Sequence, residues 1–253
     1  MEQQYFQING AGLNIRAKLY TEGRGDVKAL VILGHGFGGH KDNRAAERFA
    51  KHVIDKNHGV AALTFNWPCH GDDVRKTLRL ADCDAYLAAV LAWAGSRYPD
   101  AALFGYATSF GGYLFLKYLS EHGNPFLKIA LRCPAVCMYD VMMSSTVTPD
   151  ALERIQKGKP ASVGFDRKVE IDKTFLDSLR ETDVSARDFL PYADELFILH
   201  GTKDEIVPFE TVKRFAENNV IDFLPVENAD HRFQAPEKMD FAIAQICAFF
   251  GLK

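Results

Sequence analysis

The stretch 102-ALFGYATSFGGYLFLKYL-119 runs from an apolar segment through a turn of small residues into a second apolar segment of different period. Residues 101–107 lack polar alternation, as expected of a strand covered on both faces. Residues 110–122 read as a helix, and Ser109 stands at the junction. Ala107-Thr108-Ser109-Phe110-Gly111 has the G-x-S-x-G spacing, with alanine at the first small position. Where a strand turns directly into a helix the two backbones nearly collide, so small residues are needed on both sides of the serine. The helix then aims its unpaired N–H groups and positive dipole end at Ser109, which favours negative charge developing beside it. Glycines that merely pack a helix on a strand can give the same five residues, so the context decides.

Outward from this unit the same rhythm repeats. Apolar runs at 27–33, 60–65, 127–131, 195–200 and 220–226 predict further buried strands. Helical segments fall at about 43–57, 78–97, 208–218 and 236–250. Strands alternating with helices of this length predict βαβ units: an α/β fold with a mostly parallel twisted sheet and helices on both faces. The start alternates instead, from Tyr5 to Ile8 and then through Leu13, Ile15, Ala17 and Leu19 beyond an Asn9-Gly10 turn. That pattern predicts an N-terminal antiparallel hairpin at a sheet edge. Residues 136–190 break the rhythm and read as a small insertion between two strands of a single domain covering 1–253. Its best helical signal is 172-DKTFLDSLR-180, with Asp172 placed to cap.

Composition narrows the classes. With 47% apolar and 25% charged residues in 253, the chain is an ordinary globular one, large enough to bury a core without metal or disulfide support. A net charge of -3 and no Lys/Arg block argue against nucleic acid as a partner. Five scattered cysteines, Cys69, Cys83, Cys133, Cys137 and Cys247, form no CxxC pair and read as reduced thiols, hence a cytoplasmic location. The start MEQQYFQING lacks a signal-peptide pattern, and no apolar run approaches the roughly 18 residues of a membrane span. A soluble, unprocessed protein that binds no membrane is expected, with a homodimer left open. His35 and His40 lie across glycines and no HExxH or Cys/His cluster occurs, so neither metal nor cofactor is expected.

Three more strand ends carry polar chemistry. In 31-VILGHGFGGHKDN-43 a strand ends in His35-Gly36-Phe37-Gly38-Gly39, where the N–H of Phe37 can turn into a crevice and, with that of Phe110, hold an oxyanion. Its spacing matches neither GxGxxG nor GxxxxGK[ST], which argues against a phosphate loop. Asp204 follows the strand 196-LFILH-200, and His231 follows the strand that begins at 223-FLPV-226. Open α/β sheets bind ligands at such strand ends. The chain order Ser109, Asp204, His231 is that of a triad in which histidine takes the serine proton and aspartate orients it. Glu205 and Asp230 remain alternatives to Asp204; His200, inside an apolar run, reads as a core or supporting residue.

At these residues the sequence resembles the α/β-hydrolase superfamily, particularly small bacterial carboxylesterases that include cinnamoyl (feruloyl) esterases and lysophospholipase-like and monoglyceride-lipase-like enzymes. The likeness rests on His35-Gly36-Phe37, residues 107–111, Gly201-Thr202-Lys203-Asp204-Glu205-Ile206-Val207-Pro208 and Ala229-Asp230-His231, and covers nearly the whole chain. Two departures stand out: Ala107-Thr108 for the usual glycine-histidine, and Asn66-Trp67-Pro68-Cys69-His70-Gly71-Asp72-Asp73 where relatives often read D-x-x-G-H-G-x-S. The resemblance implies an α/β-hydrolase fold, a cap at 136–190, and hydrolysis of small aromatic or short-to-medium acyl esters through an acyl-enzyme. Met138, Tyr139, Met142, Met143, Phe165 and Phe175 are then candidates to line a substrate pocket, and are equally read as the cap's own core. A thioesterase or short-peptide hydrolase with the same triad, and a non-catalytic ligand-binding version of the fold, stand as alternatives.

Overall fold

The computed structural model describes residues 1–10, 12–23 and 25–253. Strands β1 (Glu2–Gly10) and β2 (Leu13–Thr21) pair antiparallel from Glu2 opposite Thr21 to Gly10 opposite Leu13. There follow β3 (Ala29–Gly34), α1 (Arg44–Lys56), β4 (Val60–Phe65), α2 (Leu80–Arg97), β5 (Ala102–Thr108), α3 (Phe110–His122) and β6 (Lys128–Arg132). Beyond the insertion come β9 (Leu196–Gly201), α7 (Phe209–Asn218), β10 (Asp222–Val226) and α8 (Pro236–Phe250). Eight strands form one sheet in the order β1-β2-β4-β3-β5-β6-β9-β10. β2 joins β4 antiparallel, and every pairing from β4 to β10 is parallel. This is the α/β-hydrolase architecture, with the expected hairpin leading into it.

The unbroken apolar strands are explained by what covers them. Successive side chains point to opposite faces. Leu30 and Ile32 of β3 pack with Tyr86 and Leu87 of α2 and Phe115 of α3, whereas Val31 and Leu33 pack with Phe49 and Val53 of α1 and Ile243 and Ile246 of α8. Local signals set the helix ends. Asn43 Oδ1 accepts the Ala46 N–H at 2.8 Å to start α1, and Pro236 opens α8. The strand expected at 220–226 begins instead at Asp222, because the C-terminus of α7 claims the first two residues. The N–H of Ile221 bonds to Ala216 O at 2.9 Å and that of Val220 to Glu217 O at 3.3 Å, closing the helix with Val220 at φ 55°.

Between β6 and β9 lie α4 (Met138–Ser145), α5 (Pro149–Gln156), the antiparallel pair β7 (Ala161–Val163) and β8 (Val169–Ile171), and α6 (Lys173–Glu181). Only α6 was legible in sequence, since three-residue strands and eight-residue helices offer too few periods to register. Asp172 does cap α6, accepting the Phe175 N–H at 3.1 Å, and it also takes both ends of the Arg79 guanidinium at 2.7 and 2.6 Å. Beside it Thr77 Oγ1 donates to Glu170 at 2.6 Å, so the segment is tied to the chain ahead of α2. Among the described residues no helix is long and apolar enough to cross a membrane, and all five thiols are free.

Asp172→Ala removes a helix cap and a two-point tether together. Stability should fall by about 1–2 kcal/mol, read as a lower urea midpoint; an unchanged midpoint would show that the tether contributes nothing.

Candidate active site

Four loops leave the C-terminal ends of β3, β5, β9 and β10 and meet above the sheet. At the end of β5, Ser109 adopts φ 52° and ψ -118°, a conformation that costs a side-chain-bearing residue roughly 1–3 kcal/mol. Surrounding hydrogen bonds hold it there. The Ser109 N–H donates to Arg132 O at 3.1 Å, and its carbonyl accepts from Tyr113 and Ala135 at 3.0 and 3.2 Å. The turn works only because Gly111 has no side chain: a Cβ there would lie 2.6 Å from Gly34 O and 2.7 Å from His35 O. Ala107 fits in place of the more usual glycine, since its register partner across the strands is Gly34.

Ser109 Oγ lies 3.0 Å from His231 Nε2, and His231 Nδ1 lies 2.8 Å from Asp204 Oδ2. The carboxylate is fully buried, yet each oxygen is hydrogen-bonded. Oδ1 accepts the N–H groups of Ile206 and Val207 at 2.9 and 2.8 Å; Oδ2 accepts His231 and lies 3.1 Å from His200 Nε2, whose proton is shared with Val207 O at 3.0 Å. Burial pushes the Asp204 carboxyl upward, but the hydrogen bonds from His200, His231 and Val207 outweigh it and hold the group well below the usual carboxylate range. The acid and base loops are also stapled to each other. Lys203 N–H donates to Ala229 O at 3.0 Å, and His231 N–H to Glu205 at 3.2 Å. Glu205 thus holds the histidine backbone, while Asp230 caps its own loop through the Gln234 N–H at 2.8 Å. Of the three acids considered from sequence, Asp204 is the one on the imidazole.

The β3 loop closes a tight turn, Gly39 N–H to Gly36 O at 3.0 Å, with Gly38 at φ 73° in the position that demands a positive angle. Neither the Phe37 nor the Phe110 N–H has an acceptor among the described residues. Buried His35 braces the turn: Nδ1 donates to Gly36 O at 2.8 Å while Nε2 accepts the Trp67 N–H at 3.3 Å. Burial drives its pKa well below the ordinary value, so it keeps this neutral tautomer. His70 stacks on Phe110 and meets Phe37 edge-on at 5.5 Å, its own pKa lowered by burial to about 4.

A crevice of about 380 Å³ opens beside Ser109 and His231. Of the six cap residues considered from sequence, Met138 and Phe165 line it; Tyr139, Met142, Met143 and Phe175 do not. Met142 and Phe175 are fully buried in the core beneath the cap, Phe175 against Phe110 at 6.4 Å. Met143 packs on that core, and Tyr139 turns to Arg180. The apolar walls come instead from Phe37, Val141 and Ile206, with Arg132, Arg167 and Arg232 also lining the space. Those arginines were missed in sequence. Arg132 left one trace, a cation ending the otherwise apolar run 129-IALR-132.

Cys133, His200 and Asp204 place potential metal-ligand atoms within 4.8 Å of one another. Asp204 already accepts three N–H groups, and the proton on His200 Nε2 is directed at Val207 O and Asp204, so these groups are engaged in hydrogen bonding with one another and with the loop.

The parallel sheet, the serine on its strand-to-helix turn and the imidazole linking it to a buried carboxylate define a serine hydrolase of the α/β-hydrolase fold. The chain belongs to the family described as Serine aminopeptidase, S33, whose model matches residues 25–187. Among curated proteins no sequence match was found. Similar solved structures include Est1E from Butyrivibrio proteoclasticus with ferulic acid bound, at TM-score 0.80 and 18% identity over 97% of each chain. A putative hydrolase from Agrobacterium vitis S4 aligns at TM-score 0.75 and 18% identity over 98% of each. The Paleococcus ferrophilus monoacylglycerol lipase aligns at 0.66 and 18% identity, over 94% of this chain and 99% of that one.

Two outcomes follow from this geometry. Gly111→Val should cost roughly 1–3 kcal/mol and abolish turnover, because helix and strand must part; a folded, fully active variant would contradict the close approach. The depressed Asp204 pKa stabilises the fold fully above its unfolded value of about 3.9, and that contribution is lost as pH falls through the lower folded value. The urea-midpoint gap between wild type and Asp204→Asn should therefore narrow below about pH 4. A constant gap would show that the carboxylate carries no such linkage.

Proposed function

We propose that the protein hydrolyses small carboxylic esters through an acyl-enzyme on Ser109. The observation that carries the reading is the continuous hydrogen-bond chain Ser109–His231–Asp204, with 3.0 and 2.8 Å links. His231 takes the serine proton as Oγ attacks the ester carbonyl, and Asp204 stabilises the imidazolium that forms. The N–H groups of Phe37 and Phe110, free of other acceptors, hold the oxyanion. His231 then returns the proton to the leaving alcohol, and water activated by the same imidazole releases the acid.

A space near 380 Å³ suits a small aromatic or short-to-medium acyl group against Phe37, Met138 and Val141. Ferulic acid bound to Est1E and the lipase name of the Paleococcus protein favour esters as well. The family description favours peptides as a second reading. Three arginines on the crevice oppose it, because they repel the α-ammonium that an aminopeptidase must bind.

Purified enzyme is treated with a fluorophosphonate probe and assayed on matched esters, thioesters and anilides. Wild type should label and favour esters, while Ser109→Ala should not label and should lose about 10³-fold or more in kcat. Equal labelling of both proteins would remove Ser109 as nucleophile, and a marked anilide preference would replace the esterase reading with the peptidase one.

A further inference from the structure

Four lysine or arginine side chains are buried in the described residues: Lys18, Lys41, Lys117 and Arg132. Three are neutralised by acids. Lys117 meets Asp84 and Glu121 at 2.5 and 2.6 Å, Lys41 meets Asp72 and Asp42 at 2.8 and 3.0 Å, and Lys18 meets Asp42 at 3.5 Å. Arg132, only 6% exposed, has no carboxylate partner among the described residues. Its Nε donates to Tyr106 Oη at 3.2 Å, Nη1 reaches His231 O at 3.4 Å, and its Cζ lies 5.0 Å over the Phe233 ring. Of the five N–H groups of a guanidinium, three remain unused. A buried charge left without a counter-ion is costly, and proteins ordinarily pair it.

The space beside Arg132 is itself cationic. Arg132 lines the crevice, and its backbone carbonyl holds the Ser109 N–H. Asn43 and Ala45 line the same space, so α1 presents the positive end of its dipole there. Arg167 and Arg232 add two further cations; Asp166, the one acidic side chain on the lining, is paired to Arg232 at 3.2 Å.

Resting on the ester-hydrolase reading, we infer that the substrate is an ester whose non-reacting end carries a carboxylate, and that Arg132 is the residue that receives it. The planar guanidinium fork matches a carboxylate at two points, and such a charge-assisted pair is stronger than a neutral hydrogen bond. The same side chain could act only as a strut under the His231 loop, and the two roles differ in what they discriminate. A strut affects every ester alike. A receptor for the carboxylate affects charged esters alone.

The test compares kcat/KM within two matched pairs. The para-nitrophenyl monoester of adipic acid against para-nitrophenyl hexanoate places the charge in the acyl portion; para-acetoxybenzoate against para-tolyl acetate places it in the alcohol portion. Wild type should prefer the charged member of one pair by about tenfold or more, with the preference weakening as salt rises. Arg132→Met should erase that ratio whatever happens to the neutral rate, and Arg132→Lys should restore part of it. If neutral esters are hydrolysed through Ser109 and wild type shows no preference in either pair, the inference is overturned while the esterase reading stands. Retention of the ratio in Arg132→Met overturns it equally. Failure to hydrolyse any of the four, with Ser109 unlabelled, overturns both. Should Arg132→Met not fold, the wild-type ratios and their salt dependence still decide.

Discussion

The acid and base side of the crevice depends on one buried carboxylate. Asp204 has no exposed side-chain surface, and an isolated charge there would be far too costly to keep. It stays ionised because N–H groups from β9, its following loop and the β10 loop converge on its two oxygens. The same bonds fix the shape of the acid loop, the tautomer of His231 and the distance between two loops that are 27 residues apart. His200, which sits in the strand and never reaches the crevice, contributes one of those bonds. Remove the charge and the imidazole loses its orientation as well as its counter-ion.

The opposite side of the crevice is organised by closeness rather than charge. Gly111 lets α3 start against the carbonyls of Gly34 and His35, and Gly36 brings the β3 loop against Ser109, where a Cβ would lie 3.3 Å from the serine Cβ. Beside those approaches the N–H groups of Phe37 and Phe110 have no acceptor among the described residues. Behind them the unusual loop at 66–73 acts as a wedge. Trp67 bonds to His35 through backbone and indole, and His70 fits against both phenylalanines. The residues that depart from the common D-x-x-G-H-G-x-S pattern are therefore among those that brace the Gly36–Gly39 turn.

The sheet and the strand-end residues were legible because both depend on short-range patterns. Parallel strands buried on two faces must be continuous runs, and residues that serve a crevice must follow their C-terminal ends, so Ser109, Asp204, His231 and Phe37 could be named from position. The cap resisted for the opposite reason. Its helices of eight residues and strands of three pack on one another and on α6, and whether a given methionine faces the core or the crevice is a matter of helix rotation. Met138 and Met142 sit one turn apart on α4, yet the first lines the crevice and the second is sealed beneath the cap. Nothing in their spacing separates them.

Arg132 marks a deeper limit of sequence reading. An arginine at the end of an apolar strand is most simply a residue whose head has reached water, and only the fold reveals that Tyr106, Phe233 and the His231 loop enclose it without an acid. The hydrogen-bonded triad and the unpaired charge thus lie on different strand ends of this chain. Ser109, Asp204 and His231 stand on loops fixed by hydrogen bonds within and between the strand ends, whereas an unpaired charge, a helix terminus and cap side chains face the crevice beside them. The two meet at particular residues: Ile206 lines the crevice while its N–H holds Asp204 Oδ1, and His231 meets Arg132 through its carbonyl and Asp204 through its ring.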